Sequence, residues 1–415
     1  MSNNKQNISK MLIITLSCIY AVSPFAIDSY LPALPIIANE MQVDISMLSM
    51  TVSLYILGLA VGQLIGGPLS DKHGRLPIMV LGLGLFALAS LLLTTSTQIS
   101  ELWLWRILQA IGGGIAIVGV PATIRDNADG KEAAKLFALV SLIMMVAPSI
   151  APSVGNFILS HHHWHWIFYF VTGVSILAII MAIKFIPHQP SKTKQAATKR
   201  TKGIKFIDVF KHKQALGYMI AQSFAFAVMI TFVTNSAMIY MGAFKVSADT
   251  FSILFALNIF GLIIINRINT FLLNRFESAI LLRFWLSMQV CGAFLLVLST
   301  IFLPHYLALS VAAFVMTVSA NGGIVSNSNA CFLKFFGKDA GTASAVLGAL
   351  QCATAATISA IAALISMGQV LPVVILMFAS TSIALLAVIY SNKQSSIALQ
   401  IEEIGAENNA VLLMD

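Results

Sequence analysis

Residues 11–39 read MLIITLSCIYAVSPFAIDSYLPALPIIAN, an apolar run interrupted by one acid, Asp28. The run is too long and too apolar for a soluble core helix and is long enough to cross a bilayer, which needs roughly twenty such residues. An ionisable side chain is costly in hydrocarbon, so Asp28 is a functional candidate whose partner has to be found. The competing reading is an acid at the outer water interface. Against it, a helix rising about 1.5 Å per residue from Lys10 has crossed most of the membrane by position 28.

The rest of the 415-residue chain extends the pattern. It is 58% hydrophobic and 10% charged, with a mean hydropathy of +0.89. Soluble domains carry about one quarter charged residues, so the main solvent here is lipid. Counting apolar windows between charges and turn residues predicts twelve spans. They cover 11–34, 46–67, 77–97, 102–124, 136–159, 165–187, 214–238, 250–272, 280–301, 306–333, 342–366 and 370–391. Continuous runs of this length exclude a β-barrel, which alternates over short strands. The expected fold is an all-α integral membrane protein, without a cleaved signal peptide. Cys18, Cys291, Cys331 and Cys352 fall in or beside spans and read as small buried hydrophobes.

Charge orients the spans. With the first span leaving the cytoplasm, Lys72, Arg75, Arg125, Arg275, Lys334 and the cluster between Lys192 and Lys211 all fall on inner connections, and Lys245 alone falls outside. This is the positive-inside asymmetry, and it puts both termini in the cytoplasm. The net charge of +8 therefore belongs to membrane ends and not to a nucleic-acid surface. The predicted organisation is a six-helix half at 1–187, a cytoplasmic linker at 188–213, a second six-helix half at 214–391 and a cytoplasmic tail at 392–415. Residues 204–210 read as a short amphipathic helix on the inner surface. Two six-helix halves are the layout of a transporter whose site lies between them, and a monomer suffices for alternating access.

Four stretches carry the chemistry. Gly66–Arg75, GGPLSDKHGR, forms a tight inner turn in which Gly74 permits unusual dihedrals and Asp71 can accept bonds from a neighbouring helix N-terminus. The free amides opening the span at Gly341 are one such partner. Gly67, Asp71, Gly74, Arg75, Arg125 and Asp126 form a candidate conformational gate. In the fourth span Arg106 and Gln109 share a helix face that continues to Gly112. In the fifth, Pro148 and Pro152, four apart, bend the helix beside small residues including Gly155. His161, His162, His163 and His165 alternate with Trp164 and Trp166 at an outer turn. With no carboxylate nearby in sequence they read as an interfacial belt, not a metal site. In the second half Asn327 and Asn329, beside Ser326 and Ser328, are the candidates to face a cavity, among many asparagines that serve as helix-to-helix glue.

The inner turn resembles the G-x-L-a-D-r-x-G-r signature of the major facilitator superfamily, matching at Gly67, Leu69, Asp71, Lys72, Gly74 and Arg75. Arg106 to Gly112 looks like the R-x-x-Q-G-x-G signature of proton-coupled drug exporters, with Ala110 in place of the first glycine. Ala147 to Asn156 is similar to the antiporter signature in its A-P-x-x-A-P-x-x-G form, with Asn156 where the second glycine is usual. Asp28 to Pro35 looks like the D-x-Y-L-P-A-x-P of the Bcr/CflA type of drug:proton antiporters. His165 stands where many members have an arginine.

What the resemblance implies is efflux of hydrophobic drugs such as chloramphenicol or bicyclomycin across a bacterial inner membrane, with the proton as coupling ion and no other cofactor. Asp28 and Arg106 would then couple the proton, and Tyr30, Gln109, Asn327 and Asn329 would line the substrate cavity. Burial favours a protonated Asp28 and an approaching Arg106 favours the carboxylate, so alternating the two environments would load and release a proton. The rival within transport is a proton-coupled carrier of one metabolite such as a nucleoside, sugar, amino acid or siderophore, since one scaffold serves many cargoes. An intramembrane enzyme would need a convergent set of catalytic groups, and Asp28 is the one acid of sixteen inside a predicted span.

Overall fold

The computed structural model describes residues 10–127, 130–187, 206–336 and 340–412. The 188–205 part of the predicted linker lies outside them. Every apolar window becomes helix. In chain order these are α1 (Lys10–Asp28), α2 (Leu34–Glu40), α3 (Ile45–His73), α4 (Arg75–Leu93), α5 (Ile99–Asn127), α6 (Gly130–His161) and α7 (His165–Phe185). After them come α8 (Phe206–Lys211), α9 (Lys213–Ala237), α10 (Ala248–Leu272), α11 (Ser278–Phe302), α12 (Leu307–Ser319), α13 (Asn321–Leu333), α14 (Ala340–Ser366) and α15 (Val370–Leu412). Eleven segments among the described residues are long and apolar enough to cross a membrane. The bent α6, 32 residues with Pro148 and Pro152 inside it, supplies the twelfth span of an all-α integral membrane fold.

Local chemistry sets the helix ends. The Asp44 carboxylate caps α3 by accepting from the Ser46 backbone N–H at 2.8 Å, satisfying a donor that the first turn leaves free. Gly74 ends α3 and starts α4 at φ +100°, a conformation that a side chain disfavours. The first span is one apolar segment over Met11–Glu40, but its helix stops at Asp28. It resumes through a short 3-10 turn at Leu31–Ala33, where Pro32 sits in the first turn, and then α2. Three boundaries differ from expectation. The seventh span runs beyond 238 through a π-helical turn, Met238–Ala243. The second continues through Pro68 to His73. The tail expected to begin at 392 is continuous with α15 as far as Leu412, with no proline there to interrupt the helix.

The chain divides into two compact units. One contains α1 to α7 together with Ile230–Gly261 and Ala355–Val373. In it α3 and α5 approach backbone to backbone: a methyl at Gly58, Gly62 or Gly66 would meet the main chain of Ile107, Ile111 or Ile115. Glycines four apart form the flat stripe that lets two membrane helices gain contact where no hydrophobic effect drives them together. Around this seam Leu16, Ile19, Tyr55, Met79, Leu83, Phe86 and Val120 are buried in one apolar cluster. Leu64, Ile180 and Phe157 point outward as the lipid-facing surface.

The other unit holds Lys202–Met229, Leu262–Thr354 and Val374–Asp415. A polar junction binds its helices: the Asn269 Oδ1 accepts from Trp285 Nε1 at 2.8 Å and from Asn327 Nδ2 at 2.6 Å, while Asn269 Nδ2 donates to Ser326 Oγ at 3.1 Å. In hydrocarbon such an amide has no water to fall back on, so the network fixes α10, α11 and α13 together.

The glycine seam yields a direct test. Gly62→Val should lower the thermal unfolding midpoint of the purified protein, by the equivalent of about 1–3 kcal/mol for overpacking. Gly84→Ala, where an added methyl meets nothing within 4 Å, should leave the midpoint unchanged.

Candidate functional site

The break after Asp28 organises the site. Where α1 stops, its last-turn carbonyls lose their helical donors. One of them, Ala26 O, accepts from Arg106 Nη1 at 3.0 Å, and the same nitrogen donates to Gln109 Oε1 at 2.8 Å. The guanidinium lies between two aromatic rings, 4.6 Å from the centroid of Tyr30 and 4.8 Å from that of Tyr55. Tyr55 is itself held by a hydrogen bond between its hydroxyl and Ser23 Oγ of α1, at 2.7 Å. Arg106 thus acts as a cationic cap on the negative end of α1. It is completely buried, and its Nε and Nη2 have no hydrogen-bond partner among the described residues.

Asp28 occupies the last residue of α1 and is 5% exposed. The structure brings it into the electrostatic field of Arg106 without joining the two. The ion pairs among the described residues are Arg75 with Asp71 and Asp126, His163 with Glu40, and Lys211 with Asp208. Asp28 and Arg106 are therefore neighbours and not a salt bridge.

The other residues singled out from sequence fall in distinct places. Tyr30 is fully buried under Arg106 and against Phe168, with ring centroids 5.5 Å apart. Gln109 is fully buried with both ends of its amide engaged, accepting from Arg106 and donating to Ser90 Oγ at 2.8 Å. That makes it a relay between α5 and α4. Asn327 belongs to the Asn269 junction, and Asn329 donates to Val325 O of its own helix at 3.0 Å. Both lie on α13, in the other unit.

The expected gate residues converge on Arg75. Its Nη1 pairs with Asp71 Oδ1 at 2.5 Å and reaches Ser70 Oγ at 3.2 Å, while its Nε pairs with Asp126 Oδ2 at 3.0 Å. One guanidinium thereby ties the end of α3, the start of α4 and the end of α5. Gly74 supplies the turn that lets it do so. Gly67 packs loosely: a methyl there would have Val118 Cγ1 at 3.8 Å. The side chains of Arg125 and Thr342 lie outside those described.

On α6, the reason for Gly155 is direct: a methyl there would run into the carbonyl of Ser29, immediately after Asp28. The antiporter-like helix, with Pro148 and Pro152, therefore presses on the break itself. Sequence reading missed Tyr55, Ser23 and Ser90, since nothing in an apolar helix marks which tyrosine or serine faces an arginine. It also held that no carboxylate accompanies the histidine cluster. Glu40, remote in sequence, corrects this: its Oε2 accepts from Trp164 Nε1 at 2.8 Å and lies 3.3 Å from His163 Nε2. His163 and His165 meet through their Nδ1 atoms at 2.6 Å.

Twelve apolar helices, a buried arginine and acid at a broken first span, and an ionic knot at one end define a multi-pass transporter and not an enzyme. The comparisons agree. The Major Facilitator Superfamily model matches residues 16–360, and the chain belongs to that superfamily. It is 31% identical to the bicyclomycin resistance protein homolog of Haemophilus influenzae, over 92% of this chain and 96% of that protein. It is 30% identical to the multidrug resistance protein MdtL of Shewanella oneidensis, over 80% of this chain and 83% of that one. Among solved structures the nucleoside transporter NupG superposes with a TM-score of 0.74 at 13% identity, covering 92% and 99% of the two chains. The D-xylose–proton symporter gives 0.70 at 15% identity, covering 92% and 97%. These two likenesses bear on the fold alone.

The geometry of Arg106 predicts that Arg106→Lys should not substitute. An ammonium lacks the planar face that two rings and two acceptors grip. Transport should fall at least about tenfold, the loss expected when an interaction of roughly 1.4 kcal/mol or more is removed, while the variant still purifies as a folded monodisperse protein.

Proposed function

We propose that this chain is a drug:proton antiporter of the bacterial inner membrane, with both termini cytoplasmic, exporting hydrophobic compounds of the chloramphenicol or bicyclomycin kind. The observation that carries the reading is the state of Asp28, buried at the end of α1, within reach of Arg106's field and without an ion-pair partner among the described residues. Burying an unpaired carboxylate is costly and burying a carboxylic acid is not, which is the energetic asymmetry a proton carrier needs. Arg106 keeps two unused donors beside it. A small movement at the α1 break would let them donate to the ionised Asp28 carboxylate, stabilising the deprotonated state and releasing the proton.

Proton loading and arginine pairing then alternate. Because pairing requires the break to shift, the protonation state of Asp28 biases the equilibrium between inward and outward openings by its different energy in each. Drug efflux as the task is supported by the relatives, which are named for bicyclomycin and multidrug resistance. The substrate would enter from the membrane-facing or inner side as a small apolar molecule, and no cofactor besides the proton is required.

The test is purified protein in liposomes with an imposed proton gradient. Wild type should concentrate drug against its gradient. Asp28→Asn, which is permanently neutral, should lose uphill transport while retaining drug exchange at equilibrium. Undiminished uphill transport by that variant would end the coupling proposal. A competition panel of drugs and metabolites tests the cargo: displacement by one nucleoside, sugar, amino acid or siderophore, and by no drug, would replace drug efflux with carriage of that metabolite.

A further inference from the structure

Asn156, which follows Gly155 on α6, stands where the antiporter-like pattern has a second glycine, and neither the proton site nor the charged knot at Arg75 uses it. Its side chain crosses to another part of the chain: Asn156 Nδ2 donates to Asp249 Oδ1 at 2.5 Å. Asp249 lies in the first turn of α10, where a carboxylate is favoured by the helix dipole. Asn156 is near the end of α6 and Asp249 near the start of α10, so the bond sits at the membrane face opposite the Arg75 knot. One step deeper, Ser53 Oγ of α3 meets Ser359 Oγ of α14 at 2.8 Å, buried. The π-helical turn Met238–Ala243 touches α2 and α3 at the same end. All of these residues belong to the first compact unit. There the first six spans are fastened to the ends of later ones.

We propose that Asn156 and Asp249 form a latch that holds this face closed, and that α6 links the latch to the Asp28 corner. The link is steric. Gly155 rests on the Ser29 carbonyl one residue beyond Asp28, and the adjacent residue carries the latch. A shift of the α1 break that pairs Asp28 with Arg106 must move Ser29 and therefore α6, and movement of α6 strains or releases the bond to Asp249. Asn156 is a positioning residue in this scheme: it touches neither drug nor proton and acts on which face opens. The bond is charge-assisted and exposed, so its loss should shift the equilibrium modestly, about two- to fivefold.

The latch rests on alternating opening and is independent of which cargo or ion drives it. It can be measured by pulsed electron paramagnetic resonance on full-length protein in nanodiscs, without drug or gradient. Spin labels at Phe157→Cys and Ile253→Cys, both outward-facing positions, would be read in a background with the four native cysteines replaced. Asn156→Ala and Asp249→Ala should each raise the long-distance population about two- to fivefold, and the double variant should do no more than either alone. Asn156→Asp, which opposes two carboxylates, should open the face further and do so less at high salt. Unchanged distances in both single variants, or effects that add in the double, would overturn the latch. Loss of drug transport in liposomes with these distance shifts intact would count against the export reading and leave the latch standing.

Discussion

A guanidinium buried among apolar helices is the constraint on which the first unit depends. In hydrocarbon Arg106 cannot shed its charge, and its desolvation must be offset by groups that the fold supplies. Those groups are a carbonyl freed by the end of α1, the amide of Gln109 and the faces of Tyr30 and Tyr55. Each desolvated ring contributes on the order of 2 kcal/mol. The break in the first span is thus more than a kink imposed by Pro32 and Pro35. Without it Ala26 O would be spent inside a helix and the arginine would lose its backbone anchor. The same break leaves Asp28 at the end of a helix, where the dipole already disfavours negative charge. Arg106 is held by groups other than Asp28, so the acid can change its protonation state without releasing the cation.

Legibility from sequence followed the cost of the residues involved. Asp28 and Arg106 were readable because ionisable groups in apolar spans stand out by their expense. The turn from Gly66 to Arg75 was readable because glycine and charge at the end of a span have few other uses. Hydroxyls and amides were not. Gln109 was expected at a cavity wall and is a buried relay to Ser90. Asn327, expected to face a cavity, takes part in the Asn269 junction with Trp285. An amide satisfied by helix packing and one satisfied by ligand have the same sequence appearance. Glu40, 124 residues from Trp164, shows the other limit, since no local pattern announces a partner that only the fold brings near.

The two ends of the first unit are secured by unlike chemistry. At one, Arg75 gathers Asp71 and Asp126 across three successive helix ends, a set of full charges contained within the first half of the sequence. At the other, Asn156 meets Asp249 and Ser53 meets Ser359, single polar bonds between residues far apart in sequence. A network centred on one arginine is lost only by moving all of its helices, whereas a lone exposed bond breaks at small cost.

The α6 helix connects these observations because its sequence leaves it little choice. Pro148 and Pro152 remove donors and bend it, which carries its later turns against α1. At the point of contact only glycine fits, since the Ser29 carbonyl fills the space that a side chain would take. A second glycine at 156 would have kept that surface smooth and mute. An asparagine there adds a donor to the one part of α6 whose position is already dictated by the Asp28 corner. Steric exclusion at one residue and a hydrogen bond at the next convert a change beside the acid into a change at the membrane face.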